Sequence, residues 1–304
     1  MNWINAILHG ALLGGYYAIL ASGLSFLFGV MRIVNVAHGS LTMLAAYVVL
    51  SLLGVLRTDM FVAVALAAAL MAVFGGLLDR VVFQRSAGAG ELVPILATFG
   101  LSIVIDNALF AHYGADAQSL APNIGNLAYA SWHIGSSVYV SWLDTMTFGS
   151  AVAILGGLQW ILRRTPLGRA IRATASDSLA AELIGIDARQ VYSFTAAISF
   201  VLVTLAALFF AMRASFTPYA GEPQLIFAFE TVVIGGIGSL WGTLLGGIVL
   251  GVSQNVGGLV DPSGFLIAGH AVFLAVLMLR FAEHQPSLRK WLQAWRFGFR
   301  KGHA

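Results

Sequence analysis

Apolar stretches of about bilayer length follow one another through this sequence, and most of its Lys and Arg residues fall at their ends or between them so as to lie on one side. Runs such as Val62 to Leu78 and Ser193 to Met212 approach the ~20 residues that a helix needs to cross a hydrocarbon core. Such a core offers no water to a free N–H or C=O, so helices that satisfy their own backbone are the fold open to these runs. With 59% hydrophobic and 10% charged residues and a mean hydropathy of +0.87, a soluble domain is excluded. The expected fold class is an all-α membrane protein, a polytopic helical bundle of about 8 transmembrane elements that include broken or re-entrant helices.

Apolar spans are expected at about 7–30, 39–56, 61–82, 93–112, 143–162, 193–212 and 265–281, with a broken element over 225–257. Of the 16 Lys and Arg residues, all but Arg57 and Arg213 fall in segments that this alternation places on one face. The positive-inside rule makes that face cytoplasmic. Topology therefore accounts for the formal charge of +3, and no nucleic-acid partner is implied. Residues 114–142, with Trp132 and Trp142, then read as an extracytoplasmic loop with interfacial aromatics. Met1 to Ala6 lack the basic opening of a signal peptide, so the first span is expected to stay in the mature protein. Working back from Arg80 puts the N-terminus outside. Cysteine is absent, which excludes disulfides and thiolate metal sites.

The element at 225–257 consists of Leu225 to Gly236, a Gly238-Ser239 break, and Gly242 to Gly257. Parity requires it to return to the side it came from, and a re-entrant pair of half-helices or two short tilted crossings both satisfy this. Broken backbone at membrane depth is tolerated where protein or a wet cavity satisfies it, so Gly235, Gly236 and Ser239 are candidate pathway residues; close helix packing is the competing reading. A second break runs from Gly29 to Gly39 and carries Arg32, Asn35 and His38, which belong at a cytoplasmic edge or a polar interior. Gly10/Gly14, Gly242/Gly246 and Gly247/Gly251 have the small-x-x-x-small spacing of closely packed helices.

Between the fifth and sixth spans, helix signals replace a simple connection. Thr165 is a natural N-cap with Pro166 at the first helical position. Asp177 or Ser178 suits a second cap, and Gly185 a left-handed stop. Two short cytoplasmic helices follow over about 163–190. Membrane crossing does not require them, so they read as a docking surface for a cytoplasmic partner, against the alternative of a solvated basic loop.

These residues carry a resemblance. Thr165-Pro-Leu-Gly-Arg-Ala-Ile-Arg-Ala, followed by Ala180-Ala-Glu-Leu-Ile-Gly-Ile-Asp, resembles the coupling segment of the permeases of branched-chain amino-acid ABC importers, the LivH/LivM type. Phe28-Gly-Val-Met-Arg-Ile-Val-Asn-Val-Ala-His-Gly and Val233-Ile-Gly-Gly-Ile-Gly-Ser-Leu-Trp-Gly-Thr-Leu-Leu-Gly-Gly match in the same order, and the N-x-A-H-G element is closer to the LivH member. The resemblance implies a permease subunit in a bacterial inner membrane, paired with a second, LivM-like permease. It further implies two ABC ATPase subunits, which bind ATP and Mg, and an extracytoplasmic substrate-binding protein; no cofactor is expected in this chain. Arg169, Arg172, Asp177, Glu182 and Gly185 become the expected coupling residues, and Asn35, His38 and Glu230 join the pathway candidates. The permease domain is expected over 1–281. The chain departs from the family pattern after about 281, where 282–304 reads as a basic, Trp-rich cytoplasmic tail.

No Walker A sequence, H-E-x-x-H or G-x-S-x-G is present, and the 7 histidines lack metal-ligand spacing. Asp106, Asn107 and Glu230 fall within apolar stretches. In an ion-coupled secondary transporter Asp106 or Glu230 would carry the coupling ion; in the structural alternative Asp106 and Asn107 lie near the outer interface and Glu230 meets a half-helix end. An importer for urea or short amides is a further alternative within the ABC class.

Overall fold

A computed structural model describes residues 2–56, 59–87, 89–90, 92–134 and 138–284. Arg57 and most of the basic tail, residues 285–304, lie outside this set. The long helices are α1 (Asn2–Met31), α2 (His38–Leu56), α3 (Met60–Leu78), α5 (Leu92–Tyr113), α6 (Trp142–Arg164), α9 (Ala188–Arg213), α11 (Leu240–Val260) and α12 (Gly264–His284). Shorter ones are α4 (Gln84–Ala87), α7 (Pro166–Ser176), α8 (Ser178–Leu183) and α10 (Gly221–Gly235). A π-helical turn, Asp79–Phe83, carries α3 on into α4. Among the described residues 8 helices are long and apolar enough to span a membrane.

The bundle is arranged around α1. The most apolar window of α1 is 83% buried, whereas that of α12 is 6% buried, so α1 is the axis and α12 a peripheral strut. The Gly10/Gly14 and Gly247/Gly251 pairs explain how α11 lies so close to this axis. A Cβ on Gly14 would stand 2.5 Å from Ile248 Cα, and one on Gly251 would stand 2.2 Å from Gly10 O. Gly10 meets Gly251 and Gly14 meets Gly247, so the two helices run antiparallel. The small-residue spacing thus packs helices within this chain, where backbone approach in lipid replaces the missing hydrophobic drive.

The basic residues gather at one end of the bundle. Arg163 and Arg164 close α6, Arg189 opens α9, and Arg280 near the end of α12 donates to Ile234 O at 3.0 Å. Asp79 accepts from Gln84 Nε2 at 2.6 Å and from Ser193 Oγ at 2.8 Å, tying α3 to α9 there. At the opposite end Arg213 donates to Asp144 Oδ1 at 2.7 Å. That pairing accounts for one of the two cations that the positive-inside pattern leaves outside.

Residues 225–257 do not form a re-entrant pair of short limbs. The limb after the break is α11, 21 residues long, a full span. Before it, α10 has 15 residues and begins inside the bundle, so residues 214–220 complete that crossing in extended and turn conformation. The two-crossing solution holds, because the Gly235–Ser239 elbow turns α10 into α11 at the basic end. The break after α1 also differs from a rim loop: Ile33–Ala37 leads back into the bundle and α2 starts beside the middle of α1. Between α5 and α6 the described residues include a 3₁₀ segment, Ala121–Ala128, and an antiparallel pairing of β1 (Ser131–Ile134) with β2 (Val138–Ser141). Trp132 stacks on Trp142 at 4.2 Å between ring centroids.

Candidate functional site

Capping side chains build the segment between α6 and α9. Thr165 Oγ1 accepts from Gly168 N at 3.0 Å, Asp177 Oδ1 from Leu179 N and Ala180 N at 3.0 Å, and Asp187 Oδ1 from Arg189 N at 3.0 Å. Each cap satisfies donors that a helix start leaves free. Gly185 has φ +86°, the left-handed stop after α8. Asp177 and Gly185 are therefore committed to local structure. Arg169, Arg172 and Glu182 are exposed.

Charge-based reading overlooked the apolar tip of this segment. Leu179 is 74% exposed, Leu183 89% and Ile184 74%. Leu179 and Leu183 are four residues apart on α8 and so share one face of it. Leu179, Leu183 and Ile184 thus form an exposed apolar patch on the same segment as Arg169, Arg172 and Glu182.

Beneath α7 lies a cavity of about 570 Å³ whose lining includes Ser25, Gly29, Arg163, Arg172, Gly238 and Ser239. The α7–α8 segment, through Arg172, and the α10–α11 elbow thus share one space at the basic end. The elbow is tightly held. Gly236 and Gly238 have φ +98° and +80°, Gly238 N donates to Ser25 Oγ at 3.1 Å, and Ser239 Oγ accepts from Gly242 N at 3.0 Å. A Cβ on Gly235 would stand 2.0 Å from Gly242 O. Gly235, Gly236 and Ser239 hold this turn at the rim.

Asn35 and His38 are buried and occupied. Asn35 Oδ1 accepts from Ala37 N at 3.1 Å, and His38 Nε2 lies 2.9 Å from Leu20 O. Asn35 shapes the turn into α2, and His38 fastens the start of α2 to α1. Glu230 is 2% exposed, with Oε1 at 2.5 Å from His270 Nδ1. Nearby, Tyr17 donates to Gln254 Oε1 at 2.6 Å and Tyr16 to Gln224 Oε1 at 2.5 Å. These pairs join α1, α10, α11 and α12 by polar contacts inside the bundle. Among the described residues no group of three or more His, Cys, Asp or Glu residues is placed to hold a metal ion.

A bundle of long apolar helices with a capped pair of short helices exposed at its basic end defines a polytopic helical membrane protein. The comparisons make this specific. The family described as "Branched-chain amino acid transport system / permease component" matches residues 6–281, and the chain belongs to it. The permease protein BraD of a high-affinity branched-chain amino acid transport system from Pseudomonas aeruginosa is 27% identical, covering 92% of this chain and 94% of its own length. The permease protein LivH of such a system from Salmonella typhimurium is 26% identical, covering 84% and 85%. A ribose import permease, RbsC of Haemophilus influenzae, is 26% identical, covering 86% and 80%. These relatives support the ABC permease reading rather than an ion-coupled transporter.

Proposed function

We propose that this chain is the LivH-type subunit of an inner-membrane importer for branched-chain or related amino acids. It works with a LivM-like second permease, two ABC ATPase subunits that bind and hydrolyse ATP with Mg, and an extracytoplasmic binding protein that delivers the substrate. The family match over residues 6–281 carries the reading. Two features support its mechanical part: the apolar tip formed by Leu179, Leu183 and Ile184, and the cavity in which Arg172 meets the α10–α11 elbow. ATPase closure presses on α7 and α8, α7 transmits the displacement through that shared space, and α10 and α11 shift against α1. Arg169, Arg172 and Glu182 act as the polar rim of the docking surface, while Asp177 and Gly185 preserve its shape. The permease domain is assigned to 1–281.

The test is ATP-dependent uptake of labelled leucine, isoleucine and valine into vesicles holding the assembled complex, comparing wild type with Arg169→Glu/Arg172→Glu. Loss of uptake together with loss of the ATPase from the purified complex is expected. Uptake that persists without any ATPase defeats the reading. Uptake of ribose and not of amino acids by the assembled complex moves the substrate to the sugar-permease branch of the relatives.

A further inference from the structure

The starts of α2 and α10 meet deep inside the bundle. A Cβ on Gly39 would stand 2.0 Å from Gly221 O, so their first turns touch backbone to backbone. Ser40 precedes the outer end of α2, Leu56, by sixteen residues, and Gly221 precedes the basic end of α10, Gly235, by fourteen. At 1.5 Å per residue this level lies about 24 Å from one end and about 21 Å from the other. Asp106 and Asn107 face this level: the Asp106 carboxyl lies beside Ser40, and the Tyr219 hydroxyl meets Asn107 Oδ1.

Polar side chains reach the molecular surface at this depth. Glu222 and Asn107 are exposed. Tyr219 is also exposed; its hydroxyl donates to Asn107 Oδ1 at 3.4 Å and its ring packs on Phe110. The Asp106 carboxyl lies near that of Glu222, and its Oδ1, sealed from solvent, has no hydrogen-bond partner among the described residues. Ala220 supplies no side-chain cap to α10. Elsewhere the outward faces suit lipid: α3 presents Phe61, Leu66 and Leu70, and α12 presents Leu274 and Met278. An ionised carboxylate in mid-bilayer is among the costliest groups to expose to hydrocarbon, and such groups face water or protein.

We infer that the face formed by the start of α2, the outer half of α5 and residues 219–229 is one wall of the aqueous translocation path, closed on its other side by the second permease subunit. The inference rests on the paired-permease reading above. The polar strip is bordered on α10 by exposed Ile226 and Phe229, an apolar margin that packs against protein while Glu222, Asn107 and Tyr219 remain wet. A second permease is the occupant that supplies both contacts along a membrane-buried face.

The chain has 0 cysteines, so single-cysteine variants report accessibility directly. In the assembled complex in vesicles, Asn107→Cys and Tyr219→Cys should react with a charged, membrane-impermeant thiosulfonate at least about tenfold faster than Leu70→Cys and Met278→Cys, the ratio that about 1.4 kcal/mol of easier access represents. A benzophenone amino acid in place of Ile226 should cross-link to the second permease. Reaction at 107 and 219 as slow as at 70 and 278, or cross-linking at 226 to lipid alone, overturns the inference. Neither readout needs substrate. Fast labelling in a complex that fails to carry amino acids therefore keeps the wall and removes the substrate reading, while slow labelling in a transporting complex removes the wall alone.

Discussion

Glu230 and His270 show how a membrane protein affords a buried carboxylate. With Oε1 held by the imidazole at 2.5 Å, the pair satisfies part of a group that burial would otherwise leave costly. His270→Ala removes that partner and leaves the carboxylate buried. The expected loss is about 1–3 kcal/mol, read as a lower unfolding temperature of the detergent-solubilised complex. Glu230→Gln, which removes the charge and retains an amide, should lose less. The residue-level lesson is that Glu230, Asn35 and His38 stand out in sequence for the same reason, polarity in an apolar run. The structure gives each a local partner, which no reading of one helix at a time supplies.

At the scale of elements, helix α8 is defined by its caps and by what it leaves uncovered. Leu183→Asp should leave α8 intact, because the Asp177 and Gly185 ends are untouched, and should weaken ATPase retention during purification. A variant that holds its ATPase as wild type does would remove Leu183 from the docking surface. The α1–α11 seam works by the opposite logic. Gly14→Leu forces a side chain into space already held by Ile248 Cα, and overpacking of this kind costs about 1–3 kcal/mol or more. The expected outcome is reduced abundance of the assembled protein in membranes. Helix capping and glycine spacing were both legible in the sequence, since each is a local pattern of residue types. The exposure of Leu179 and Leu183 was not, since a short apolar helix looks the same whether it is buried or waiting for a partner.

Over the whole molecule, sidedness follows from the separation of charge. Single cysteines at Ser176 and Tyr129 should be modified by an impermeant reagent from opposite faces, Ser176 from the cytoplasm and Tyr129 from outside; labelling of both from one face would contradict the antiparallel arrangement of α6 and α9 with the basic end inward. Hydrophobic run length and the Arg pattern determined the fold class, the positions of the spans and the location of the α7–α8 segment, because each arises from transfer of local chain segments between water and lipid. Tertiary structure alone decided that α2 and α10 begin within the bundle, that α11 is a full span packed on α1, and that Asp106, Asn107, Tyr219 and Glu222 share one level. Those facts depend on contacts between residues as far apart as Gly39 and Gly221, where the position of one helix is set by the backbone of another and not by its own composition.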